Sequence, residues 1–261
     1  MRFFYYLLQM PPFALLMIMV IVFGGAGALG VYIFRKYIKI SYKRSHNEVV
    51  GYAFAILGGF YGLILGFVMF FVWDSMKQAE DNASKESSLA RALYRDIKYY
   101  PDTAKSNSLK KSYMVYVHSV VEREYPEMEQ LHPLTDSDRI DFNDVFKKME
   151  TMNATDTRVV EMFSQLNDLA TYRSLRHLDA DSEIPIEIWV PLLLGALIIM
   201  VFAMMVDVES QRLHMLVNAL LGIFIGMVMY IIIIVDHPFT GKMRIMPTGY
   251  ETILDMEQHD K

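Results

Sequence analysis

Apolar positions fall into four long stretches, about Phe13–Phe34, Val49–Trp73, Ile188–Val206 and Leu213–Val235, set two and two around a polar middle. Each holds roughly 19 to 25 residues, enough for a helix to cross about 30 Å of hydrocarbon. In lipid, a helix satisfies every backbone donor and acceptor within its own segment. The pattern therefore predicts four membrane-spanning helices. Pro11 and Pro12 suit the start of the first, because the first helical turn has no hydrogen bond for proline to lose. Small residues from Gly24 to Ala28 mimic a leader-peptide cleavage site. The apolar run then resumes through Leu29, Val31, Ile33 and Phe34 and meets Arg35, Lys36 and Lys39, so an uncleaved span is expected.

From Asp74 to Tyr100 the chain is charged, with neither glycine nor proline, so the second helix should run on until Pro101. Leu89, Leu93 and Ile97 recur on one face of it. A further helix is predicted over 108–124, with Leu109, Tyr113, Tyr116, Val117, Val120 and Val121 inward and Pro126 ending it. Another runs from Asp136, a plausible N-cap, to Met152, with Ile140, Val145, Phe146 and Met149 inward. A fourth starts near Thr155 or Asp156 and carries Val159, Phe163, Leu166, Leu169 and Leu175. No stretch alternates with the two-residue period of a strand. The expected fold is all-α, with four transmembrane helices arranged two plus two around a helical-bundle extramembrane domain. The expected boundaries are a membrane hairpin at 1–73, a helical domain at 74–185, a second hairpin at 186–235 and a polar tail at 236–261. Residues 207–212 are too few to do more than turn the chain between antiparallel spans. Asp236 to Gly241 read as a short ordered turn.

Within the spans, Gly58, Gly62 and Gly66 recur every four residues, with Gly51 and Ala55 on the same face. Gly222 and Gly226 repeat the device beside Asn218. Such stripes let helix backbones approach closely, and helix packing is their expected role. The second span also presents Phe54, Phe60, Tyr61, Phe67 and Phe71. Asn218 is the one polar side chain well inside a span, fit for an interhelical hydrogen bond or for lining a solute path. Trp73 and Trp189 sit at span ends, as interfacial anchors do.

Composition changes this picture little. The chain is 53% hydrophobic and 21% charged, as spans plus a charged domain require, and the formal net charge of -5 shows no nucleic-acid surface. With no cysteine, disulfides, thiolate metal sites and cysteine nucleophiles are excluded. The twenty methionines read as filling for apolar spans. No nucleophile elbow, phosphate-binding glycine loop or zinc helix motif is present, so no catalytic, cofactor or metal residue is assigned and an enzyme is not expected. His46, His118, His132, His177, His214, His237 and His259 are scattered and read as solvated. Glu122 with Glu124 and Asp179 with Asp181 read as solvated carboxylate pairs.

Basic residues bear on orientation. The connector 35–48 carries Arg35, Lys36, Lys39, Lys43 and Arg44 against Glu48 alone, which places it in the cytoplasm and the 74–185 region outside.

His46-Asn47-Glu48-Val49-Val50-Gly51, Tyr61-Gly62 and Trp73-Asp74 resemble a widespread, largely bacterial family called bestrophin-like. The likeness continues through Ala79, Glu86, Leu93-Tyr94-Arg95, Tyr116-Val117, Val120 and Glu124-Tyr125-Pro126. It ends with Arg212-Leu213-His214 and with Asp236-x-Pro238-Phe239-x-Gly241, the most specific part. The wider resemblance, to bestrophins, implies an oligomeric anion channel with four spans per subunit. An aromatic neck on the second span would then line the pore, here Phe60, Phe67 and Phe71. The acidic calcium clasp of animal bestrophins has no counterpart, so calcium gating does not carry over. Bestrophins keep the middle region in the cytoplasm, the reverse of the charge argument.

Two functions follow as expectations for a bacterial inner-membrane homo-oligomer: an ion channel passing anions such as chloride, or a non-conducting scaffold or sensor whose helical domain binds a protein partner. Proton-driven motor proteins share the layout, but they need a partner helix bearing a carboxylate.

Overall fold

A computed structural model describes residues 2–38, 44–132 and 136–259. Among them every regular element is helical. In chain order these are α1 (Arg2–Gln9), α2 (Pro12–Tyr37), α3 (Arg44–Lys98), α4 (Thr103–Ser119), α5 (Tyr125–Glu129), α6 (Asp136–Glu150), α7 (Thr157–Ala180), α8 (Ile186–Met205), α9 (Gln211–Val235) and α10 (Thr248–His259). A π-helical segment, Val120–Glu124, joins α4 to α5. Lys39 and Lys43 lie outside the described residues, as do the cap at Asp136 and the side chains of Arg44 and His46.

The chain divides into two compact units. The first, a membrane unit, comprises Tyr6–Asp74 and Glu183–Asp236; the second, a helical unit, comprises mainly Ser75–Ser182 and the segment from His237 onward. α2, α3, α8 and α9 are long and apolar enough to cross a membrane. α3 is unbroken across the boundary, as the lack of glycine and proline after Asp74 requires.

In the membrane unit α2 packs along α9 by backbone contact. A Cβ on Gly27 would strike the carbonyl of Asn218, and one on Gly222 the carbonyl of Phe23. One on Gly226 would lie 2.8 Å from the Met19 oxygen. Only glycine permits that crossing, which gains dispersion contacts that lipid does not provide. α8 contacts both α2 and α9. The first span thus pairs intimately with the last, a relation that crosses between the two sequence hairpins.

The helical unit has a conventional apolar core. Leu93, Ile97, Leu109, Tyr113, Tyr116, Val117 and Val120 are buried, as the periodicity predicts. Val145, Met149, Val159, Leu166 and Leu169 join them. Ile140 does not: it is exposed, and Phe142 takes the inward place, its ring 4.8 Å from that of Tyr116. Val145 and Met149 keep the inward places expected and Phe146 packs against the core, so α6 departs from the expected face only at Ile140. Asp156 caps α7 by accepting from the Arg158 amide.

Two boundaries also differ. Pro126 does not stop the helix that begins with α4. The π segment lets the Tyr125 amide bond to the Val120 carbonyl, and Pro126 then sits in the first turn of α5, where its missing N–H costs nothing. The tail is not a polar extension: it folds as α10, with Tyr250 and Ile253 buried in the helical unit's core.

Candidate pore helix and buried ion-pair cluster

Of the four long helices, α3 is the least covered by its own chain. Within its apolar stretch 17% is buried, against 39% for α9. Phe60, Phe67 and Phe71 are 64%, 65% and 61% exposed. A Cβ on Gly58, Gly62 or Gly66 would meet nothing within 4 Å. Phe60, Phe67 and Phe71 and the glycine stripe of this helix are therefore left uncovered by the described residues. The inward residues of α3 are Val50, Tyr61, Leu65 and Val72. Tyr61 donates its hydroxyl to the Leu192 carbonyl at 3.1 Å, and its ring fills the space above Gly195.

One end of the membrane unit is tied by polar side chains. Asn47 forms a two-point clamp on Asp207, accepting from its amide at 2.8 Å and donating to its carbonyl at 3.3 Å. Arg35 donates to the Val208 carbonyl and, from Nε, to His214 Nδ1 at 3.2 Å. With Nδ1 accepting, the Nε2–H of His214 donates to the Ala203 carbonyl at 3.0 Å. His214 is thus a buried structural residue, not a solvated one. Asn218 lies one turn further along α9. Its Nδ2 donates to the His214 carbonyl of its own helix at 3.1 Å, and its Oδ1 is buried with no partner. No interhelical hydrogen bond forms there.

The helical unit holds the larger surprise. Glu86 of α3, Glu124 of the π segment and Arg176 of α7 are fully buried. Arg176 reaches both carboxylates, with Nε 2.6 Å from Glu86 Oε2 and Nη2 shared between Glu86 Oε1 and Glu124 Oε2. Arg173 donates to Glu124 Oε1 at 2.7 and 3.2 Å, and His177 Nε2 lies 3.1 Å from Oε2. Tyr250 of α10 donates to Glu86 at 2.8 Å and meets the Tyr116 hydroxyl at 3.1 Å. The Arg176 guanidinium lies 5.0 Å from the centre of the Tyr125 ring. Burial alone would raise the Glu124 carboxyl, but Arg176, the hydrogen bond to His177 and Arg173 hold it well below the usual carboxylate range. Burial pushes the Tyr113, Tyr116 and Tyr250 hydroxyls up, so all three stay neutral.

Each carboxylate oxygen has a donor, and the cluster leaves no open position for a substrate. Its role is to bind α3, α7, α10 and the π segment into one hub. A buried Glu124 overturns its assignment as a solvated carboxylate; Glu122 remains exposed, beside His118. His237 is buried too. Asp179 is engaged rather than free, accepting from Asn82 at 2.9 Å. The helical periodicity of the sequence carries a signal for the cluster. Glu86 falls within the stripe Ala79, Ala83, Ala90, Leu93, Ile97, whose members are buried. Glu124 follows Tyr113, Val117 and Val120 by one turn, and Arg173 and Arg176 continue the stripe Val159, Met162, Leu166, Leu169. Acids and arginines at core positions must find one another.

The segment 236–241 is equally specific. Asp236 accepts from the Ile184 amide at 2.9 Å within the membrane unit. In the helical unit the Phe239 ring packs edge-on against Tyr125 at 5.9 Å, and Thr240 donates to the Met128 carbonyl. Gly241 has φ 83°, a conformation that disfavours any side chain.

A family model for the Bestrophin-like domain matches residues 8–250. The chain belongs to the bestrophin-like family. Solved structures agree in fold. A crystal structure of a membrane protein aligns over 92% of this chain and 98% of its own, with a TM-score of 0.68 at 11% identity. Two variants of a bacterial bestrophin homologue from Klebsiella pneumoniae give TM-scores of 0.62 and 0.64 at 12% and 13% identity. Each aligns with 93% of this chain, covering 98% and 96% of the homologue. No curated protein matches. Family membership and four span-length helices make this a membrane protein. The bestrophin-like motif residues map onto the contacts above: Asn47, Tyr61 and His214 in the membrane unit, Glu86, Tyr116, Glu124 and Tyr125 in the cluster.

Proposed function

We propose that the chain is one subunit of an oligomeric ion channel of the bestrophin type, selective for anions such as chloride, in a bacterial inner membrane. Copies of α3 surround the path, and Phe60, Phe67 and Phe71 form its hydrophobic constriction. The observation that supports this most is the uncovered state of α3: aromatic rings and a glycine stripe on a span-length helix have no partner among the described residues. Bestrophin homologues are oligomeric membrane channels, which agrees. In that arrangement the glycines of α3 carry contacts between copies. Asn218 is a packing residue at the α2–α9 crossing, away from the path.

A ring of phenylalanines gates by dewetting, so a smaller side chain widens the wetted path. Phe67→Ala in purified, liposome-reconstituted protein should therefore raise chloride flux several-fold over wild type. No flux from either, in protein that is folded and oligomeric, rejects the channel and leaves the scaffold that binds a protein through its helical unit. The basic connector places 35–48 in the cytoplasm, whereas the bestrophin arrangement puts the 74–185 region there. A reporter inserted near Asn107 reads outside in the first case and cytoplasmic in the second.

A further inference from the structure

A cleft of about 780 Å³ runs between α3 and α10 in the helical unit. Its volume is that of a small-molecule site. Arg91, Arg95 and Lys98 of α3 line it, spaced four and three residues apart on one face. Among the described residues Asp255 is the one acid in the lining. Like charges at that spacing repel, so the stretch gains from a counter-anion. Asp96 pairs with Arg95 at 3.1 Å through one oxygen and accepts from Gln165 of α7 at 2.9 Å through the other, one acid beside three basic residues. Arg91 has a long contact to Ser88, at 3.4 Å. The opposite wall supplies the Thr252 hydroxyl and His259, and the exposed Tyr99 and Met256 border the opening.

From Arg91 to Lys98 the helix rises about 10 Å, too far for one phosphate to bridge and a match for a chain of two or three. Arginine favours phosphate oxygens because its planar fork pairs with two at once. We propose that this cleft binds an oligophosphate group, held by Arg91, Arg95 and Lys98. Because α10 is anchored to the hub by Tyr250, an anion here would tie the C-terminal helix more firmly to α3. Arg91 lies about 27 Å further along α3 than Trp73, at the end of the apolar stretch, so the group is carried by a free anion rather than by a lipid headgroup.

Calorimetric titration of the full chain in detergent with inorganic triphosphate tests this without any flux measurement, so its outcome is independent of conduction. Saturable binding is expected, weakening about tenfold or more in the Arg91→Gln/Arg95→Gln double variant and with added salt. Asp255→Asn removes an acid from the lining and should tighten binding. Lys111→Gln, an exposed charge on α4, should leave it unchanged. Repeating the titration in nanodiscs with and without anionic lipid should leave binding unaltered, and competition by the lipid overturns the assignment to a free anion. Absence of saturable triphosphate binding overturns the proposal. So does equal weakening by Lys111→Gln and the double variant in protein of unchanged melting temperature, or an Asp255→Asn protein that binds less tightly.

Discussion

The two units solve the same packing problem with opposite materials. The membrane unit brings α2 and α9 together by removing side chains: Gly27, Gly222 and Gly226 leave backbone against backbone. The helical unit uses a large apolar core and buries two glutamates and an arginine within it. Solvent explains the difference. Lipid is as apolar as leucine, so burying leucine against leucine gains little there, and close approach becomes the source of dispersion energy. In water, burying apolar area drives packing directly, and a charge can be taken inside if every one of its polar atoms is met.

The comparison is broken most severely at Arg176. Arg176→Gln leaves Glu86 and Glu124 facing each other in a buried site with a cation removed. A loss of about 3–5 kcal/mol is expected, enough to melt the helical unit. Circular dichroism with limited proteolysis should show cleavage within 75–182 while the membrane unit stays protected in detergent. An unchanged melting temperature would mean that the hub adds nothing to the unit's stability.

A smaller effect is expected at Gly222. Leucine there drives its side chain into the Phe23 carbonyl, and overpacking of this kind costs about 1–3 kcal/mol. The α2–α9 pair should separate, read as lost crosslinking between cysteines introduced on the facing surfaces of α2 and α9, with the helical unit unaltered. The smallest effect on the single chain is expected at Gly62, where a Cβ meets nothing. Gly62→Leu should leave the stability of the chain within about 0.5 kcal/mol of wild type. It should shift native gels toward smaller assemblies, because the proposed contacts between copies use that stripe. If Gly62→Leu alters neither stability nor assembly, the stripe faces lipid.

Part of the architecture was legible without coordinates because length and periodicity are local properties. The four span-length stretches, the run-on of α3 to the vicinity of Pro101 and the apolar stripes of α4 and α7 follow from residue order alone. Within those stripes Glu86, Glu124, Arg173 and Arg176 were also visible by position. Their pairing was not, because α3, the π segment and α7 are separated by 38 and 52 residues, and no local pattern specifies which charges meet. Likewise every glycine stripe looked alike in the chain. Only the fold distinguished Gly222 and Gly226, closed against α2, from Gly58, Gly62 and Gly66, open on α3. A stripe states that a backbone can be approached closely; what approaches it is decided by helices distant in sequence, and at α3 by whatever covers a face that the chain leaves bare.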